Sequence, residues 1–454
     1  MIKIFITSKT HMRENVMKLF VDFNTITGKI KPFNAINNAP ISGTSNELFY
    51  LLQEANVPYS RLHDTGGRYG QFVFVDIENI FRNFEADAEL PESYDFAFTD
   101  WLIGELVKNK VEPFFRLGAS IENSHRLKAY RIFPPKDNVK WAKICEGIIK
   151  HYNHGWANGY DYGIKYWEIW NEPDNEPEIA DNPMWKGTIE QYFDLYSVTS
   201  RHLKSVFPEI KIGGYASCGF YSLTGGFENS EANSSKRTAY FTECFQKFLA
   251  LLQKNGAPLD FFSWHSYASS DANCIYADYV RNELDKHGFS ATESILDEWN
   301  PGTSRRGTEA DACYICEMIL KLHAKPLDML VYYDGQIHGS YCGLFDPVKM
   351  SVFPAYYSIH SFGELLALGN EVKSVLDGAI PFVAATDGTI GKILTVNVGS
   401  EPIPVDLELP ESWRITAYRE LDGTNGLILK NETDLSKIAI NPMKIAIIEC
   451  ELLK

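Results

Sequence analysis

Two glutamates occupy matching settings in this sequence. In Tyr166-Trp167-Glu168-Ile169-Trp170-Asn171-Glu172-Pro173 an aromatic run ends in an Asn-Glu pair that a proline stops. In Ser294-Ile295-Leu296-Asp297-Glu298-Trp299-Asn300-Pro301-Gly302 an apolar run ends in carboxylates, an aromatic residue and chain breakers. A short apolar run bounded by Pro or Gly reads as a buried strand. Each glutamate therefore falls at a strand's carboxyl end, where a barrel builds its chemistry, while Glu168 lies inside its strand and is set aside. Neighbours on a strand point to opposite faces, so one of Asp297 and Glu298 is expected to face the pocket, and Glu298, the last acid before the loop, is the choice. Two carboxylates across a pocket suit cleavage of a glycosidic bond: one protonates the leaving oxygen and the other meets the positive charge developing at the anomeric carbon. On this reading Glu172 is the acid/base, its proton affinity raised by its neighbours and by like-charge repulsion, and Glu298 is the ionised nucleophile. Retention of configuration predicts carboxyl groups roughly 5–5.5 Å apart, against ~6.5–9.5 Å for inversion.

The elements that must position these residues are legible as a rhythm. Short β-branched or aromatic runs alternate with helical patterns from about residue 20 to about 360. They are Val21–Asn24, Tyr59–His63, Glu112–Leu117, Tyr166–Trp170, Lys211–Tyr215, Phe261–His265, Ser294–Glu298 and Asp328–Tyr333. Eight such strands predict an α/β protein built on a (β/α)₈ TIM barrel. Helices are predicted over Thr99–Lys110, capped by Thr99, and over Thr308–His323. Beyond Ser361 alternating strands with Asp387-Gly388, Asp422-Gly423 and Asn425-Gly426 turns predict a C-terminal antiparallel β-sandwich. The expected division is a catalytic barrel over residues 12–360 and an accessory sandwich from residues 1–11 and 361–454, with Ile2–Thr7 pairing into the sandwich. No low-complexity linker separates the two, so tight packing is expected.

The chain has 454 residues, is 45% hydrophobic and 22% charged, and carries a formal net charge of −16, which opposes binding to nucleic acid or to anionic lipid. The opening MIKIFITSKTHMREN lacks the apolar run of an export signal or a membrane span, and eight scattered cysteines show no disulfide framework. A cytoplasmic address is expected. Cys313 and Cys316 have metal-pair spacing but lie in a helical pattern, so they read as packing. Asp174, Glu176, Glu178 and Asp181 read as a solvated loop, and Gly66-Gly67 and Gly225-Gly226 as turns without nucleotide-binding context. No metal and no cofactor is expected.

The motifs WNEP and LDEWN resemble the glycoside hydrolases of clan A, whose acid/base follows an Asn after strand four and whose nucleophile ends strand seven. Arg61-Leu62-His63-Asp64, His265-Ser266-Tyr267 and Tyr332-Tyr333-Asp334 are similar to family 39, the β-xylosidase and α-L-iduronidase family, over nearly the whole chain. That resemblance implies that Asn171 binds the sugar 2-hydroxyl, that Tyr267 touches Glu298 and that Arg61 supports Glu298 from below. It further implies sugar contacts by His63, Asp64, His265 and Tyr333, with Trp299 as an aromatic wall. Adjacent barrel strands lie ~4.8 Å apart, which brings the Tyr267 hydroxyl within reach of Glu298. The expected activity is a retaining hydrolase that removes a β-linked sugar such as xylose from small oligosaccharides. An endo-acting polysaccharide hydrolase is the alternative within the clan, and a non-catalytic carbohydrate-binding barrel the alternative outside it.

Overall fold

The computed structural model describes residues 16–41, 46–63, 75–120, 132–225, 235–337, 341, 343–378, 380–430 and 438–453. The predicted strand Ile2–Thr7, residue Asp64 and the Gly66-Gly67 turn lie outside the described residues.

The first strand, β1 (Met17–Lys29), alternates buried Met17, Leu19, Val21 and Phe23 with more exposed neighbours. Period-two burial is the mark of a sheet with one covered face. β1 accordingly belongs to the accessory sheet, so the assignment of Val21–Asn24 to the barrel is corrected, and the barrel starts after β1 and not at residue 12. The first barrel strand is instead β2 (Ala35–Asn37), whose three residues are too few to register as a run.

The barrel closes in the order β2, β3 (Tyr59–Leu62), β4 (Glu112–Leu117), β5 (Tyr166–Ile169), β6 (Lys211–Ser217), β7 (Phe261–Ser266), β8 (Glu293–Trp299) and β9 (Met329–Tyr332). Seven of these coincide with predicted strands. Their inward residues form storeys, because every second residue of a strand shares a face. The lowest is a plug of Ala35, Phe114, Tyr166, Phe261, Ile295, Met329 and Val331, with Tyr59 against it. Phe114 stacks on Tyr166 at 5.2 Å. Two residues further along three of these strands come Arg61, Glu168 and Asp297, all fully buried. Two more on β3 and β7 come His63 and His265, near the barrel's mouth.

Capped helices surround the barrel: Asp137 caps Asn138–Asn153, Thr188 and Gln191 form a capping box on Ile189–Val206, and Thr308 caps Glu309–His323. The predicted Thr99 cap is corrected. That helix runs Ala97–Lys108, and Thr99 is buried within it, because the apolar stripe begins a turn earlier. Cys313 and Cys316 are buried and unpaired on their helix.

After a short hairpin, β10 (Phe345–Asp346) and β11 (Ser351–Val352), the helix Tyr356–Leu368 leads into the accessory sheet. Its strands are β12 (Asn370–Asp377), β13 (Phe382–Thr386), β14 (Ile390–Asn397), β15 (Ile403–Glu408), β16 (Trp413–Leu421), β17 (Leu427–Leu429), β18 (Ala439–Ile440) and β19 (Lys444–Leu452). With β1 they form nine strands, all pairs antiparallel except β1 with β15. The sheet doubles over. Phe23 of β1 meets Trp413 of β16 at 4.7 Å, and the Tyr418 hydroxyl donates to the Ala439 carbonyl at 3.1 Å. Alternate residues of β19 divide between two cores: Ala446, Ile448 and Cys450 inside the fold of the sheet, Ile445 and Ile447 against the barrel's helices. Lys444 pairs with Glu309 at 2.8 Å and Arg419 with Glu364 at 2.5 Å across that seam. Among the described residues no helix is long and apolar enough to cross a membrane.

Candidate active site

β5 delivers Glu172 through a strained turn. Trp170 and Glu172 both have positive φ, 75° and 47°, which costs of order 1–3 kcal/mol each and persists only where the surroundings enforce it. The enforcement is visible. Trp170 donates its backbone N–H to Leu117 and its indole N–H to Met184, and Glu172 N–H donates to Ala216. Beyond the turn, Asp174 is fully buried and accepts from Ser217 Oγ at 2.7 Å and Cys218 N–H at 3.2 Å. Burial pushes its carboxyl up to about 7, against the pull of the Ser217 hydrogen bond. Glu176 and Glu178 pair with Arg237 and Lys236 of the helix Ser235–Asn255.

β8 delivers Glu298 through a different irregularity. Trp264 of β7 aligns with Leu296, but the next residue, His265, aligns with Glu298, so Asp297 is an extra residue in the ladder. The expectation that only one of the two acids faces inward is overturned by this bulge. Asp297 Oδ2 approaches Arg61 Nε at 2.9 Å, and Glu298 Oε2 lies 3.3 Å from Arg61 Nη1. Glu168, set aside in the sequence, is the third carboxylate on that guanidinium, 2.7 Å from Nη2. Arg61 also donates to Asn37 Oδ1 at 3.1 Å and Asn171 Oδ1 at 2.7 Å. Three carboxylates around one buried cation cannot all stay ionised. Burial and the repulsion of Glu168 hold the Asp297 carboxyl well above its usual range despite Arg61, whereas at Glu168 burial is outweighed by the Arg61 charge together with hydrogen bonds from Asp297, Ser263 and Arg61, and the carboxyl is held low.

The two halves meet at His265. Its Nδ1 lies 2.7 Å from Glu172 Oε1 and its Nε2 3.5 Å from Glu298 Oε2. One oxygen of Glu172, one ring nitrogen of His265 and one oxygen of Glu298 all fall within 4.8 Å of one another. Burial disfavours the imidazolium, but Glu298, Asp297 and Glu172 together outweigh it and raise His265 to about 9. Burial likewise favours a protonated Glu172, yet the hydrogen bond from His265, its charge and the Asn175 amide at 2.6 Å hold that carboxyl down at about 2. These partners run against the expectation that Glu172's surroundings raise its proton affinity: the carboxyl is held low and the imidazole high across a 2.7 Å hydrogen bond. The donor trio has the size of a cation site, and the Arg61 guanidinium lies 3.3 Å from Glu298 Oε2 beside it.

The Tyr267 hydroxyl donates to Glu298 Oε1, as expected. Asn171 and His63 are buried at the same mouth, each 2% exposed. Tyr333 follows β9, its N–H bonded to the Trp299 carbonyl at 2.9 Å. Trp299 does not form a sugar wall. Past the bulge its ring turns outward to meet Tyr332 edge-on at 5.4 Å and has no exposed surface. Sequence reasoning missed Asn37, Glu168, Asp297 and Asn175. Counting by twos from the plug residues Tyr166 and Ile295 would have put Glu168 and Asp297 on the level of Arg61.

A barrel that gathers glutamates from the ends of its fourth and seventh strands around a charged interior has the architecture of the glycoside hydrolases. This chain belongs to glycosyl hydrolases family 39, whose sequence pattern matches residues 68–335. It is 28% identical over 248 residues to a β-xylosidase of Geobacillus stearothermophilus, covering 52% of this chain and 42% of that one. It is 24% identical over 350 residues to a β-xylosidase of Caldicellulosiruptor saccharolyticus, covering 71% of this chain and 64% of that one. The chain thus spans less than two thirds of the length of either relative. Its fold is similar to that of a glucosidase from Croceicoccus marinus, with a TM-score of 0.74 at 18% identity over 97% of this chain and 100% of the other.

Proposed function

We propose that this protein is a retaining β-glycosidase of the β-xylosidase type, acting on small β-xylosides, with Glu298 as nucleophile and Glu172 as acid/base. The observation that carries the reading is the closeness of the two carboxylates, which have oxygens within 4.8 Å of each other, as the short spacing of a retaining pair requires. Glu298 attacks the anomeric carbon as the bond to the leaving oxygen breaks, and Glu172 delivers a proton to that oxygen. Water then attacks the glycosyl-enzyme, giving its proton to Glu172 and releasing Glu298.

Two features of the site support these roles. Arg61 and the Tyr267 hydroxyl stabilise the charge on Glu298. The Glu172–His265 pair holds one proton at neutral pH, and its 2.7 Å hydrogen bond lets that proton pass to Glu172 as the leaving oxygen draws on it. Asn171, held by Arg61, takes the sugar 2-hydroxyl, and His63 and Tyr333 are further sugar contacts on this reading. Unpaired cysteines suit a cytoplasmic address and small imported substrates.

The test is a panel of aryl β-glycosides read by proton NMR for the first-formed anomer. β-Xylose appearing first supports the reading. α-Xylose first would make the enzyme inverting, release from xylan without release from xylosides would make it endo-acting, and no turnover of any glycoside would leave only a binding barrel.

A further inference from the structure

Tyr341, in the loop after β9, combines exposure with restraint. Its residue is 43% exposed. Yet its carbonyl accepts from Arg306 Nη2 at 2.5 Å and from Asn300 Nδ2 at 3.3 Å. Arg306 is itself fixed, donating to the Tyr332 hydroxyl at 3.0 Å and reaching Asp311 at 3.5 Å. The same Asn300 amide donates to the Tyr333 carbonyl at 2.5 Å. An aromatic ring left in water on a backbone pinned from β8's loop is ready to bind, because little ordering remains to be done.

The position of the ring says what it would meet. Its centroid lies 5.5 Å from that of Tyr267, which donates to Glu298, and 5.7 Å from that of Tyr333 at the end of β9. Through Tyr267 the three rings form a chain that ends on Glu298. Glu172, toward which the leaving group departs, comes from β5 and is held by His265 and Asn175. A sugar whose anomeric carbon rests on Glu298 brings its own ring to the end of that chain of tyrosines. Pyranose rings carry faces of C–H groups, and a phenol offers them a flat apolar surface with a polar tip. The wall that the sequence ascribes to Trp299 is absent from that residue.

We propose that Tyr341 is a specificity-determining contact for the sugar bound to Glu298, packing its exposed ring on the glycone. This rests on the glycosidase reading. Loss of a contact made equally in ground and transition states raises KM and leaves kcat nearly alone. Steady-state kinetics of Tyr341→Ala on 4-nitrophenyl and methyl β-xylosides should show KM raised about tenfold or more, by the same factor for both leaving groups, with kcat changed far less. Tyr341→Phe, which keeps the ring, should recover most of that loss, and an unchanged unfolding midpoint in both variants separates binding from folding. An unmoved KM in Tyr341→Ala, or a rise confined to one leaving group, overturns the glycone contact while wild-type turnover upholds the glycosidase reading. A wild-type protein inactive on every glycoside overturns both.

Discussion

The two sides of the active site hold their carboxylates by opposite means. On the Glu298 side the partners are Arg61, which keeps its charge at any working pH, and the Tyr267 hydroxyl, on a bulged but buried strand. On the Glu172 side the carboxylate sits on a left-handed turn, 14% of its side chain is exposed, and its main partner is a histidine that titrates. A charge that must stay put is matched to donors that do not release it. A proton that must travel is matched to a group that can hold it and let it go.

Breaking either side tests the contrast. The largest effect is expected from Glu298→Ala, which should lower kcat on activated and natural glycosides alike, by more than the ~10²–10⁴-fold that general acid–base help accounts for. Steady-state assays on both substrate types check it. Glu172→Gln should cost about 10²–10⁴-fold on natural glycosides but spare substrates whose leaving groups depart without a proton. Equal losses would place Glu172 in another role. Tyr267→Phe removes one donor to an ionised carboxylate, worth about 1.5–3 kcal/mol, and should raise the acidic limb of the pH–rate profile. An unmoved limb would take Tyr267 out of the contrast.

The smallest and sharpest effect concerns pH and stability. His265 is raised from 6.5 to about 9, so its contribution is complete below pH 6.5 and fades as pH climbs through 9. Glu172 is lowered from 4.5 to about 2, so its contribution is complete above pH 4.5 and fades as pH falls through 2. Denaturant unfolding across pH should find both contributions intact between 4.5 and 6.5, and His265→Gln should flatten the decline on the alkaline side. If the variant keeps the wild-type alkaline decline, the proton is not stored at His265.

Much of this was readable in the residues themselves. Glu172 and Glu298 stand out because an aromatic or apolar strand, a carboxylate and a breaker recur together, and seven barrel strands follow from buried runs between helical patterns. What escaped was non-local. No residue type announces the bulge at Asp297, which turned two alternating acids into two inward ones and sent Trp299 outside. The lowered proton affinity of Glu172 comes from a histidine on β7, 93 positions away in the chain. β1 was assigned to the wrong sheet because the rhythm of alternation says how many faces are covered but not by what. Arg61 was found by resemblance, but its crowding by Glu168 and Asp297 follows from the barrel's closure.

The placement of β1 has a consequence for how the chain comes to be folded. Among the described residues the accessory sheet takes one strand from before the barrel and eight from after it, so the barrel is an insertion between neighbours in that sheet. During synthesis β1 leaves the ribosome before the barrel and must wait for β12 and β15, which begin at Asn370 and Ile403. At about 5–20 residues per second that wait is on the order of tens of seconds, during which Met17, Leu19, Val21 and Phe23 have no sheet to enter. A barrel that assembles before β12 emerges does so with an apolar strand still unpaired. No single cut can release it with the sheet intact.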